Sequence, residues 1–159
     1  MTLTDFVAAG WRDHGDHAEA VAARIAESLH LVGAPADVAP FVRLLTHVYG
    51  EHLGEWQRGI ELLESIQRSP ACDGTALALG PLERGIAMLR VASGDDAAAA
   101  PLPPADRAYA FAVAADAVAV RGDLPRGLTL FDRALAEVPA DLADDHAAVR
   151  ALAISGNNL

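Results

Sequence analysis

Apolar and polar positions follow helical rather than strand spacing along most of this chain. In "RGDLPRGLTLFDRALAEVPAD" (121–141) the apolar or small residues fall at Leu124, Gly127, Leu128, Phe131, Ala134, Leu135 and Val138. Steps of three and four trace one face of a helix. Pro125 lies in the expected first turn, where its missing N–H is harmless, and Pro139 with Asp141 marks the stop. The stretch before it, 105–120, is also helical in composition, and Gly122-Asp123 separates the two. "GEWQRGIELLESIQRSP" (54–70) has the same design, with Trp56, Gly59, Ile60, Leu63 and Ile66 on one face and Pro70 at its end.

The two segments superimpose. Gly54 matches Gly122, Gly59 matches Gly127, Leu63 matches Phe131 and Ile66 matches Ala134, an offset of 68 residues, or two periods of 34. A weaker copy, "GDHAEAVAARIAESL", has Gly15 and Ala20 at the same spacing, then Ile25 and Leu29, with a short helix expected before it around Phe6 and Trp11. "GTALALGPLERGIAMLRVASGDD" is helical but off this pattern, and Gly80-Pro81 is expected to kink it or start a new helix. The Pro/Ala-rich stretch 97–106, "AAAAPLPPAD", reads as a linker or extended crossover.

A helix pair recurring at this period resembles the tetratricopeptide repeat (TPR) family. The resemblance covers two good units, near 37–70 and 105–139, within one expected domain spanning 1–159. It implies an all-α fold in which antiparallel helix pairs stack as a short right-handed α-solenoid of roughly 6–8 helices. It also implies that a small residue in the first helix faces the small residue opening the second. Ala115 opposite Gly127 fits, whereas His47 opposite Gly59 departs from the pattern. Either Gly59 makes room for the imidazole or that first helix sits in another register. The last stretch, "AVRALAISGNNL", reads as the first helix of a further unit with Ala151, Leu152 and Ile154 buried. A longer natural chain, an oligomer contact and an ordinary chain end are the alternatives there.

Composition narrows the picture. Alanine supplies 35 of 159 positions and aromatics only 5%, so Ala, Leu and Val must fill a helical core. The net charge is −10 and all 12 basic residues are arginines, spread without a cluster. Neither nucleic acid nor an anionic membrane surface is therefore an expected partner. The longest apolar stretch, "AYAFAVAADAVAV", is interrupted by Asp116 and too short to span a bilayer. The N-terminus lacks the basic and apolar regions of a signal peptide, and the single Cys72 cannot form an internal disulfide. A bacterial-type cytoplasmic protein is the expectation.

Candidate chemistry is sparse. "DHGDH" (13–17) offers Asp13, His14, Asp16 and His17, residue types that bind zinc, but both histidines flank the expected turn at Gly15 and read as solvated chain. "HVYGEHLGEW" supplies His47, Glu51, His52 and Glu55. His47 and Glu51 have the i,i+4 spacing of the two HExxH histidines, but the fourth position holds no second histidine. No metal and no cofactor is assigned. The RGD at 121–123 is explained by a turn, and Cys72 has no CxxC partner. Asp95-Asp96 and Asp144-Asp145 suit helix starts, and no phosphate-binding or nucleophile motif occurs. No catalytic residue is assigned, so a non-enzymatic protein is expected. The TPR resemblance implies a concave groove that captures a peptide or partner segment, lined by Phe41, Leu44, Val48, Glu51 and His52 in one unit and Tyr109, Ala112, Asp116 and Val120 in the other. Glu51 and Asp116 would favour a basic ligand. The rival expectations are a homodimer through the C-terminal half-repeat and a histidine-dependent metal-binding or enzymatic helical protein.

Overall fold

Eight α-helices carry the fold: α1 (Leu3–Asp13), α2 (Ala18–Glu27), α3 (Pro35–Thr46), α4 (Trp56–Gln67), α5 (Ala76–Ser93), α6 (Pro104–Val120), α7 (Leu124–Glu137) and α8 (Ala147–Asn158). A π-helical turn, His47–Leu53, extends α3, and 3₁₀ turns occupy Leu29–Leu31 and Asp96–Ala99. The computed structural model describes all residues from Met1 to Leu159 and contains no strand. The expectation of an all-α chain holds, and no helix is long and apolar enough to cross a membrane. The chain divides into two compact units, Met1–Ile86 and Ala87–Leu159, with the boundary inside α5.

In the first unit, local chemistry sets the helix starts. Thr2 accepts a hydrogen bond from the Asp5 amide at 3.2 Å while the Asp5 carboxylate accepts one from the Thr2 amide at 3.3 Å, a reciprocal cap on α1. Pro35 opens α3, and Asp37 accepts from the Ala34 amide at 2.9 Å. The core is made by Val21, Ile25, Val38, Phe41, Leu44, Leu45, Val48 and Leu63, all essentially buried. Phe6 stacks on Phe41 with ring centroids 5.8 Å apart. Gly10 brings α1 so close to α3 that a Cβ there would lie 2.5 Å from Leu44 Cδ2.

The second unit is an alanine-packed hairpin. Gly122, at φ 99°, turns the chain between α6 and α7, and Asp123 caps α7 by accepting from the Arg126 amide at 3.1 Å. A Cβ on Gly127 would meet the Ala119 Cβ at 2.8 Å and the Ala115 carbonyl at 2.9 Å, so the expected approach of Ala115 and Gly127 occurs. α8 lies on α6, with the Ser155 hydroxyl donating to the Ala112 carbonyl at 2.7 Å. Asp96 joins the ends of the unit by accepting from Arg126 at 2.8 Å and Arg133 at 2.6 Å.

Two local expectations are corrected. Of the kink or new helix expected at Gly80-Pro81, the new helix does not occur, because α5 runs through both residues. Pro81 is the sixth residue of α5, past the first turn, so it gives up the bond to the Leu77 carbonyl, yet Ala78 and Leu82 on either side are fully buried and the helix continues across it. The 97–106 stretch is no loose linker. Its 3₁₀ turn buries Ala99, Leu102 is 8% exposed, and Pro104 is already the first residue of α6.

Candidate functional site: three convergent histidines

α3 loosens at its last residue. The Thr46 hydroxyl donates back to the Val42 and Arg43 carbonyls at 3.0 and 3.2 Å, competition of the kind that disturbs a helical ladder. Beyond it the chain widens into the π-helical turn, whose hydrogen bonds run from i to i+5. Three contacts hold that turn. Trp56 Nε1 donates to the Gly50 carbonyl at 3.2 Å, and the Tyr49 hydroxyl donates to the Ala22 carbonyl at 2.9 Å. Gly54, at φ 66°, ends it, so that the Glu55 amide reaches the Tyr49 carbonyl at 2.9 Å. Burial raises the Tyr49 phenol above its ordinary value, which keeps it a neutral donor.

The π register decides which side chains meet. In an α-helix, residues five apart point about 140° away from each other. Here His47 and His52 share a face, with their Nε2 atoms 3.1 Å apart. The third imidazole arrives from the end of α1, where His14 packs against both, at ring-centroid distances of 4.8 Å to His47 and 4.9 Å to His52. Trp11 stands beside His47 and His14 at 4.9 and 5.3 Å, and the Arg43 guanidinium covers the indole at 5.1 Å. One nitrogen from each of His14, His47 and His52 lies within 4.8 Å of the other two.

The outer nitrogens set the tautomers. His14 Nδ1 is 2.7 Å from the Trp11 carbonyl, and since a carbonyl only accepts, Nδ1 carries the proton. His47 Nδ1 is 2.8 Å from Glu51 Oε2, which likewise places the proton on Nδ1. In the neutral tautomer so fixed, both rings carry their lone pair on Nε2. His52 Nε2 faces His47 Nε2 at 3.1 Å; with the His47 proton on Nδ1, the proton between them belongs to His52 and must move to its Nδ1 or leave before that Nε2 can ligate. Burial, then the neighbouring charges of His47 and of His14, hold His52 below its ordinary 6.5, which favours the neutral ring. The cluster is half-buried, with side-chain exposures of 23% for His47 and 17% for Glu51.

The implied peptide groove is not an open surface. Phe41 is 1% exposed and Leu44, Val48 and Ala112 are 0% exposed, so these four are core. The reason is that α1 covers α3 and α8 covers α6, leaving neither first helix bare. Asp116 is also buried and accepts both Asn158 Nδ2 contacts at 3.0 Å, so it offers no open negative charge. Tyr109 is half-buried and Val120 exposed. Glu51 and His52 both lie against His47. His14, read from sequence as solvated turn, is in the cluster, while His17 stands exposed at the start of α2. Sequence reasoning passed over Trp11 and His14 as partners of His47; the one signal for the rest is the i,i+5 histidine spacing flanked by Gly50 and Gly54. No protein-family model, no curated protein and no solved structure matches this chain.

Proposed function

We propose that the first unit binds one divalent transition-metal ion through Nε2 of His14, His47 and His52. The observation that carries this reading is that three imidazoles converge while the far nitrogens of two are already held by a carbonyl and a carboxylate. Such outer partners fix the tautomer and raise the basicity of ligating histidines. Imidazole donors suit zinc, copper, nickel and iron(II) rather than calcium or magnesium. A zinc ion at about 2.0–2.1 Å from each nitrogen spaces its ligands about 3.4 Å apart. His47 and His52, at 3.1 Å, are near that already, and a small shift of the His14 ring completes the set. The test is uptake of zinc or cobalt(II) by the full chain after chelator treatment and dialysis. One equivalent, lost on His52→Ala, is expected; no uptake at equimolar metal refutes the reading.

A second reading is supported by a different surface. Leu124, Leu128 and Leu135 are 45%, 47% and 51% exposed along α7, and Val120 before them is 66% exposed. Together with the repeated helix pair, they favour a TPR-like protein-interaction module or a self-association surface in the second unit. Sedimentation of wild type against Leu128→Asp tests it: a shared monomeric mass removes the self-association form.

A further inference from the structure

Three histidines do not fill the coordination sphere of a tetrahedral ion. No other cysteine, histidine or carboxylate joins the converging nitrogens. Glu51 is engaged at 2.8 Å with His47 Nδ1, on the far side of that ring from Nε2. Asp13 is held by Arg12 and Arg24, each at 3.1 Å. Asp16 and Glu55 are exposed, and Cys72 lies outside the cluster.

We propose that the metal at this site keeps one coordination position for an exogenous small anion, such as azide or a short carboxylate, which displaces a bound water molecule. The inference rests on the metal-binding reading above and adds to it the class of ligand. Charge balance is the driving force. Three neutral imidazoles leave both positive charges of the ion uncompensated, whereas a closed structural site built from thiolates cancels them. Glu51 binds the outer nitrogen of the His47 ring and so acts from the outer sphere. The Arg43 guanidinium over Trp11 adds positive potential to the same neighbourhood. Partial exposure of His47 and Glu51 gives solvent a way in, and the indole 4.9 Å from the His47 ring restricts the space to a small ligand. The step is a simple substitution: the anion donates a lone pair to the metal as water leaves, with no change of oxidation state.

Cobalt(II) provides the readout, because its visible absorption reports coordination number and ligand exchange. The full chain is loaded with one equivalent of cobalt and titrated with sodium azide, then with sodium acetate. A saturable spectral change with one-to-one stoichiometry is expected for azide. Stoichiometric cobalt uptake with a spectrum indifferent to excess azide and acetate overturns the inference while leaving the metal site standing. Absence of cobalt uptake overturns both. Glu51→Gln provides a second arm, with helical circular dichroism as the check on folding. If Glu51 acts from the outer sphere, the variant takes up cobalt more weakly and keeps the azide response. An azide response that appears only in Glu51→Gln means that Glu51 occupies the fourth position in the wild type, and the inference falls.

Discussion

The two helix pairs share their glycine spacing and put it to different uses. At the 68-residue offset, His47 corresponds to Ala115, Glu51 to Ala119 and His52 to Val120. In the second pair the alanines let Gly127 approach so closely that a Cβ there would lie 2.9 Å from the Ala115 carbonyl. α6 holds eight alanines among its 17 residues, whereas positions 41–70 hold none. In the first pair the same positions carry an imidazole and a carboxylate, and the helix leaves α geometry for a π turn there. Volume decides the outcome. Small side chains convert the shared spacing into backbone contact; large polar ones convert it into a cluster of imidazoles.

Exchanging the residues breaks the comparison most strongly. Ala115→His puts an imidazole where Ala115 is 0% exposed and the Gly127 backbone already touches. Overpacking of this kind costs about 3 kcal/mol, read as a lower urea midpoint. A midpoint within error of wild type would show that the second pair does not depend on close approach. The converse change, His52→Ala, leaves thermal stability nearly unaltered but weakens cobalt binding about 100-fold, or about 2.7 kcal/mol, by calorimetry. Equal affinity in the variant would remove His52 from the ligand set.

A subtler probe is Glu51→Gln, which keeps the shape of the side chain and takes away its charge. Loss of a carboxylate behind a ligating histidine reduces metal affinity about tenfold, and unchanged affinity would mean that the carbonyl–imidazole and imidazole–imidazole contacts suffice to orient the rings. The smallest effect concerns α1, which delivers Trp11 and His14. Its Asp5 lies below the ordinary 3.8 because the Thr2 hydroxyl donates to it. A carboxylate with a depressed folded-state value stabilises the fold above the unfolded-state value and loses that contribution as pH falls through the folded one. The melting-temperature gap between wild type and Asp5→Asn should therefore be small at neutral pH and close below about pH 4. A gap that widens on acidification contradicts the assignment.

Much of the secondary structure was legible because it rests on local chemistry. The three-and-four spacing of Leu124 to Val138, the Gly122 turn and the Ala115–Gly127 contact all follow from residues near one another in sequence. Gly80-Pro81 misled because the loss of one backbone hydrogen bond is local, whereas burial of Ala78 and Leu82 on either side carries the helix across it. The groove residues misled for a different reason. Phe41, Leu44, Val48 and Ala112 look like one face of a first helix from either side, and only neighbouring helices decide whether that face is bare or covered.

The chain's own pattern determined an all-helical protein, its alanine-rich packing and its paired helices, since periodicity and side-chain volume act over a few residues. Tertiary structure alone decided the histidine cluster. His14 lies 33 positions before His47, and His47 meets His52 only in a π register. Neither distance in sequence nor α-helical geometry places those nitrogens together. Packing of α1 on α3, with Gly10 against Leu44 and Tyr49 anchored to α2, does so.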